Sequence, residues 1–156
     1  MPYSAPTAEH LHLLRNVLNY KDVAATERFK EAGDEMVCAI LSEAAKMAQD
    51  VLAPLQRPGD LQPAHLENGV VRTAPGYNDG YRAIAQGGWV GAAADPKYGG
   101  MGLPLTVSTC VGEMMSSACL SLSLNPLMTQ GQIEALEAHG SDEIKALYLP
   151  KLISGE

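Results

Sequence analysis

A chain of 156 residues is one domain's worth at about 100–200 residues per domain, and long enough to bury roughly 70% of its unfolded surface without staples. With 46% hydrophobic residues it is no disordered tail. Its 18 acidic against 11 basic residues, a net charge of −7, make it a poor candidate for binding a nucleic-acid backbone or an anionic membrane, and an equally poor main cradle for a polyanionic cofactor.

Three cysteines, Cys38, Cys110 and Cys119, are odd in number and lack CxxC spacing. They read as reduced, buried thiols of a cytoplasmic protein rather than a disulfide framework or a zinc site. The stretch 1–10 lacks a basic region followed by an apolar one, so no signal peptide is expected. The most apolar window, Ala118–Met128, is too short and too rich in serine to be expected to span a bilayer.

Helical patterns dominate from the start. Thr7 suits an N-cap, with Leu11, Leu14, Val17 and Leu18 at helical spacing behind it. A weaker helical segment, Val23 to Lys30, ends near Gly33. From Asp34 to Ala53 the stripe Val37, Ile40, Leu41, Ala44, Ala48, Val51 and Leu52 predicts a helix with one buried face, stopped by Pro54. Prolines and glycines break the pattern over Gln56–Gly76; Val70–Thr73 could be extended, but no partner strand is evident. A short helix is expected from Asn78 to Gln86, then a glycine-rich loop over Gly87–Pro104.

Leu105 to Leu124 is apolar nearly all round, with Glu113 its one charge, which predicts a buried central helix. Asn125-Pro126 should end it and start the next, which runs from Leu127 to Ala138 and stops at His139-Gly140. Ser141-Asp142-Glu143 caps a last helix expected to reach Tyr148, because Pro150 disfavours helix at Leu149. About six helices and almost no strand make an all-α helical bundle and exclude a Rossmann or barrel enzyme.

No complete catalytic constellation emerges. His10 and His12 at i and i+2 point to different helix faces, so they cannot share a metal ion, and both read as surface histidines. His65 with Glu67 is no better, and His139 suits a helix C-terminus. Gly99-Gly100-Met101-Gly102 contains GxG, but Leu105 breaks GxGxxG and no strand precedes it, so a phosphate cradle is not expected. Glu113 could be a base in a buried setting. The structural alternative is a carboxylate paired with an arginine or a backbone donor, since no histidine, nucleophile or metal signature accompanies it. Ser108, Ser116, Ser117, Ser121 and Ser123 fall in no GxSxG or SxxK motif, and read as serines bonded to the preceding turn. Met114, Met115 and Met128 read first as core filler, although methionine and small residues also suit a wall that accepts an acyl chain.

Two segments carry a resemblance. Gly87-Gly88-Trp89-Val90-Gly91, with Asp95-Pro96-Lys97-Tyr98-Gly99-Gly100-Met101-Gly102-Leu103-Pro104, resembles the GW…P.YGG.G loop of flavin-dependent acyl-CoA dehydrogenases. Ala138-His139-Gly140-Ser141-Asp142-Glu143, with Lys145 through Glu156, resembles the HGS.E.K..YLP.L.SGE segment that closes that family's N-terminal helical domain. Met1-Pro2-Tyr3, Val51-Leu52-Ala53-Pro54-Leu55, Gly59-Asp60 and Leu66-Glu67-Asn68-Gly69-Val70-Val71-Arg72-Thr73 resemble the larger branch that includes 3-(methylthio)propanoyl-CoA dehydrogenases.

The resemblance implies a division into an N-terminal helical extension, 1–33, and the family's N-terminal α-domain, 34–156, without the β-domain and C-terminal helices that follow it in the family. It implies a parent that introduces an α,β double bond into an acyl-CoA thioester. A glutamate takes the α proton, the β hydride goes to flavin N5 of FAD, and electrons leave to an electron-transfer flavoprotein. That base and most flavin contacts belong to the domains that follow, so Glu113 is not the base. No catalytic residue, no metal and no FAD are expected on this chain, which should be inactive alone; a homo-oligomer is implied for the parent. What this chain is expected to supply is one wall of the acyl pocket, mapped to Ser121, Ser123, Leu124, Leu127, Met128 and Gly131. The alternative is a stand-alone helical interaction module without catalysis. A third option keeps the flavoprotein fold with altered chemistry, as in acyl-CoA oxidases or nucleic-acid-associated relatives.

Overall fold

A computed structural model describes residues 2–156; Met1, part of the Met1-Pro2-Tyr3 start quoted above, lies outside them. Helices α1 (Thr7–Asn16) and α2 (Tyr20–Ala24) come first. Helix α3 (Asp34–Lys46) runs through a π-helical turn, Met47–Leu52, into α4 (Ala53–Leu61). A small antiparallel hairpin pairs β1 (His65–Glu67) with β2 (Val70–Arg72) in the register His65↔Arg72, Leu66↔Val71, Glu67↔Val70. Helix α5 (Tyr77–Gln86) and two 3-10 turns, Trp89–Gly91 and Pro96–Tyr98, lead to α6 (Leu105–His139) and α7 (Asp142–Ser154). With α3, the π turn and α4 taken as one rod, six helical rods stand among the described residues.

The α3 stripe behaves as its spacing predicts: Val37, Leu41 and Ala44 are buried, and Ala48 and Leu52 continue the face through the π turn. They meet Val107, Val111, Met114, Ala118 and Leu122 of α6 in one core that also takes in Leu14, Ile84, Val90, Leu149 and Ile153. The segment before Asp34 is tied to this core. Tyr20 donates its hydroxyl to the Ala32 carbonyl, and the Ala5 N–H donates to Gln49 Oε1 at 2.9 Å. Tyr3 donates its hydroxyl to the Met114 carbonyl, and burial together with the Glu113 charge raises the pKa of that phenol.

Several boundaries differ from expectation, each for a physical reason. Thr7 is already inside α1, and Pro6 takes the cap position without a side-chain bond. Pro54 does not stop the long helix, because the π turn ends just before it and proline is harmless in the first turn of the renewed α4. Val70–Arg72 does find a partner, His65–Glu67, through a turn in which Asn68 and Gly69 both adopt positive φ. Pro150 sits inside α7, which runs on until Gly155 takes a left-handed conformation and closes it. By length and composition α6 could cross a bilayer, the apolar stretch being longer than the window Ala118–Met128. Here its inner face is the core of the bundle.

Helix α6 holds the largest difference. The break expected at Asn125-Pro126 falls at Cys119, whose φ of −155° and ψ of 85° are extended inside an otherwise helical run. Asn125 and Pro126 lie within the second arm, so Pro126 removes one backbone bond without ending the helix. Nor is the stretch Leu105–Leu124 buried all round: Leu105, Leu120 and Leu124 are exposed.

Candidate functional site

The loop 87–104 positions everything around it. Gly99 has φ +97°, and a Cβ on Gly100 would lie 2.1 Å from the Ala94 carbonyl oxygen, so both positions need glycine. The loop then folds back along itself: the N–H groups of Met101, Gly102 and Leu103 donate to the carbonyls of Gly91, Ala94 and Ala92 at 3.0 Å each. Asp95 Oδ1 accepts from the Lys97 N–H, and the Asp95 N–H donates to Glu137 Oε1 on α6, both at 2.8 Å.

This loop and the two arms of α6 enclose an open groove of about 820 Å³. Leu105, Ser108, Thr109, Gly112, Glu113 and Ser116 line it from the first arm; Leu127, Gln130, Gly131, Ile133, Glu134 and Glu137 line it from the second. Val90, Ala93, Ala94 and Leu103 of the loop and Arg28 and Phe29 complete the lining. Beside the groove, Leu120, Leu124, Leu127 and Gly131 form one stripe at about 100° per residue on the second arm, with Met128 on its flank. The leucines and Met128 are 49–67% exposed, and a Cβ on Gly131 would meet nothing within 4 Å. An exposed apolar stripe on a helix makes this a candidate binding surface.

The six wall residues read from the sequence therefore divide. Leu127 and Gly131 lie where groove and stripe meet, and Leu124 and Met128 lie on the stripe beside the groove. Ser123 is buried, donating its hydroxyl to the Leu120 carbonyl at 2.9 Å with Ser116 Oγ at 3.2 Å, so it braces the break in α6. The Ser121 hydroxyl is engaged by the Tyr77 hydroxyl. Leu120, four residues before Leu124 and seven before Leu127, extends the same exposed stripe and is not among those six.

Glu113 has a partner the sequence reading did not foresee. His10 is not a surface residue: it is buried, and its Nε2 lies 3.1 Å from Glu113 Oε2. The glutamate itself is 61% exposed at the groove edge, while His10 Nδ1 finds no hydrogen-bond partner. Among the thiols only Cys119 is buried; Cys38 and Cys110 are half-buried, and the Cys110 thiol is raised in pKa by burial and by the Glu113 charge. Cys38 Sγ sits 3.0 Å from the Arg15 guanidinium, which pairs with Asp34.

The family profile "Acyl-CoA dehydrogenase, N-terminal domain" matches residues 34–156, and the chain belongs to that family. It is 36% identical over 155 residues, 99% of the chain, to the 3-methylmercaptopropionyl-CoA dehydrogenase of Ruegeria pomeroyi, of which it covers 26%. It is 27% identical over 127 residues, 80% of the chain, to the butyryl-CoA dehydrogenase of Syntrophomonas wolfei, of which it covers 21%. The chain thus spans about a quarter of the length of these curated relatives.

The pyrophosphate of the flavin such a family implies does not fit this loop or this groove. A pyrophosphate needs free backbone N–H groups or a cluster of cations. The amides of the one glycine-rich loop, from Gly99 to Leu103, are all engaged by carbonyls of the same loop. The groove edge carries Glu113, Glu134 and Glu137 against the single cation Arg28.

Proposed function

We propose that this chain is the acyl-pocket wall of a flavin-dependent dehydrogenase that introduces an α,β double bond into an acyl-CoA thioester. The exposed stripe Leu120, Leu124, Leu127, Met128 and Gly131 carries the reading: an apolar surface with room at Gly131 suits the hydrocarbon end of a thioester. Both relatives are named for small acyl groups, which supports a short acyl-CoA as the substrate class. FAD, the base and the CoA phosphates fall to other parts of the full-length protein, which passes electrons to an electron-transfer flavoprotein. The engaged loop amides and the acidic groove edge support this division, and the chain alone neither binds flavin nor turns over substrate. Three unpaired thiols support a cytoplasmic location. The exposed Ile144, Leu147 and Tyr148 on α7 support docking of a further domain or a second copy.

The test is the acyl-chain preference of the full-length protein carrying Gly131→Leu. The added side chain enters open space, so it shortens the pocket without straining the helix. At about 1–3 kcal/mol per methylene, preference moves toward shorter acyl groups by about 10-fold or more. An unchanged profile refutes the assignment of the wall.

A further inference from the structure

We infer that Tyr77 is a positioning residue that pins the break in α6 and thereby sets the aim of the second arm, an inference that rests on the wall reading above. One residue, Cys119, is extended, and the chain on either side is helical. A single extended residue is a joint: its two dihedrals decide where the arm bearing Leu124, Leu127, Met128 and Gly131 points relative to the arm bearing Leu105, Ser108 and Gly112. Left to itself, such a joint has no reason to hold one angle, because the bonds that keep a helix straight are interrupted there.

Tyr77 supplies the missing constraint from another element. It is the first residue of α5, and its hydroxyl reaches Cys119 Sγ at 3.7 Å and pairs with Ser121 Oγ. It therefore touches the joint itself and the first turn beyond it. Cys119 Sγ and Ser121 Oγ are in turn 3.8 Å apart, so the three groups close a triangle around the break.

Helix α4 is shaped to let the tyrosine through. A Cβ on Gly59 would lie 2.1 Å from the Tyr77 hydroxyl oxygen and 2.8 Å from the ring carbon that bears it. Glycine in a helix interior costs about 0.5–1 kcal/mol relative to alanine, and here it opens the path along which the phenol reaches α6. From within the second arm the Ser123 hydroxyl takes the Leu120 carbonyl and lies 3.2 Å from Ser116 Oγ on the other side of the break. Two hydroxyls thus hold the joint, Tyr77 from α5 and Ser123 from α6 itself. Serine at 121 and 123 then has a role distinct from lining a pocket: it anchors the arm whose apolar side chains do the lining.

The experiment uses the full-length protein with Tyr77→Phe, Ser121→Ala, their combination, and Gly59→Ala, which displaces the phenol without removing it. Two readouts are taken: amide hydrogen exchange across residues 119–131, and kcat and KM for a short and a longer acyl-CoA. The expected result is faster exchange across that segment, with α3 unchanged. A change of about fivefold in the preference between the two substrates should accompany it, as for loss of one hydrogen bond, and should fall on KM rather than kcat. The double variant should do no more than either single one, and Gly59→Ala should copy them. Unchanged exchange in Tyr77→Phe overturns the pin. Faster exchange with an unchanged preference, while Gly131→Leu does shift it, overturns the link from pin to wall. If neither Tyr77→Phe nor Gly131→Leu moves the preference, the wall assignment itself falls and takes this inference with it.

Discussion

Replacing Gly100 by alanine should damage the protein far more than the same change at Gly131. At Gly100 the new methyl lands 2.1 Å from the Ala94 carbonyl oxygen and 2.4 Å from its carbon. Neither is the flexible end of a side chain, so the backbone itself must move by about 1 Å to restore an ordinary contact. Overpacking of this kind costs about 1–3 kcal/mol. The move also strains the three N–H bonds that fold the loop back on Gly91, Ala92 and Ala94, each worth about 1 kcal/mol. If all three bonds are lost the total is about 4–6 kcal/mol, which lowers Tm by about 8–24 °C for a chain of this size. At Gly131 the methyl meets nothing and the position is helical, so alanine should stabilise by about 0.5–1 kcal/mol. Thermal unfolding followed by far-UV circular dichroism reads both variants. The emission of Trp89, the chain's one tryptophan, buried at the start of the loop, gives a local probe. Two variants that melt together would refute the close approach at Gly100 and the account of the loop built on it.

The two methionine environments separate in the same way. Met114→Ala in the core should lower stability by about 2–5 kcal/mol, and Met128→Ala on the exposed stripe by no more than about 0.5 kcal/mol, as read from urea midpoints. Only the second should raise KM for acyl-CoA in the full-length protein without costing stability. Arg15 donates from Nε and Nη2 to the two Asp34 oxygens at 2.7 Å each and holds that carboxyl below its ordinary 3.8. A depressed folded pKa contributes stability above 3.8 that is lost as pH falls through the lower folded value. Asp34→Asn should therefore flatten the acid end of a stability–pH profile; a profile unchanged below pH 4 would refute the pairing.

The parts of the fold that follow from periodicity were legible. The α3 stripe from Val37 to Leu52 reads directly as a buried face, because local spacing alone decides which side chains share it. What could not be read depends on contacts between distant residues. Proline at 54 and 150 looks like a stop until the structure shows Pro54 in the first turn of a renewed helix and Pro150 carried inside α7. The β2 partner hid because both strands are three residues long and wholly exposed, which leaves no alternation to detect. The break at Cys119 carries no glycine or proline; it is stabilised by Tyr77, 42 residues away, whereas Asn125-Pro126 advertises a break the packing does not use. The pairing of His10 with Glu113 spans 103 residues and could not be inferred from either neighbourhood. In the candidate site the apolar positions Leu124, Leu127 and Met128, which the structure leaves exposed, were named from the resemblance. The inward turn of Ser123 was not, because a hydroxyl's direction is set by which carbonyls a break leaves free.

The π turn at Met47–Leu52 has a bearing on how the chain tolerates insertion and loss. A π turn accommodates one residue more than an α-helix would in the same rise. Removing one residue there would restore a regular α-helix and leave the phase of α4 unchanged, whereas removing one from the regular helix of α3 would swing all of α4 by about 100° about its axis. Gly59 would rotate out from beneath Tyr77, and a different side chain would take its place against the phenol. The helical phase from Met47 onward is thus a gauge for the joint in α6. Single-residue losses between Asp34 and Leu61 should therefore be confined to the π turn, whereas the exposed turn at Asn68-Gly69 can lengthen freely.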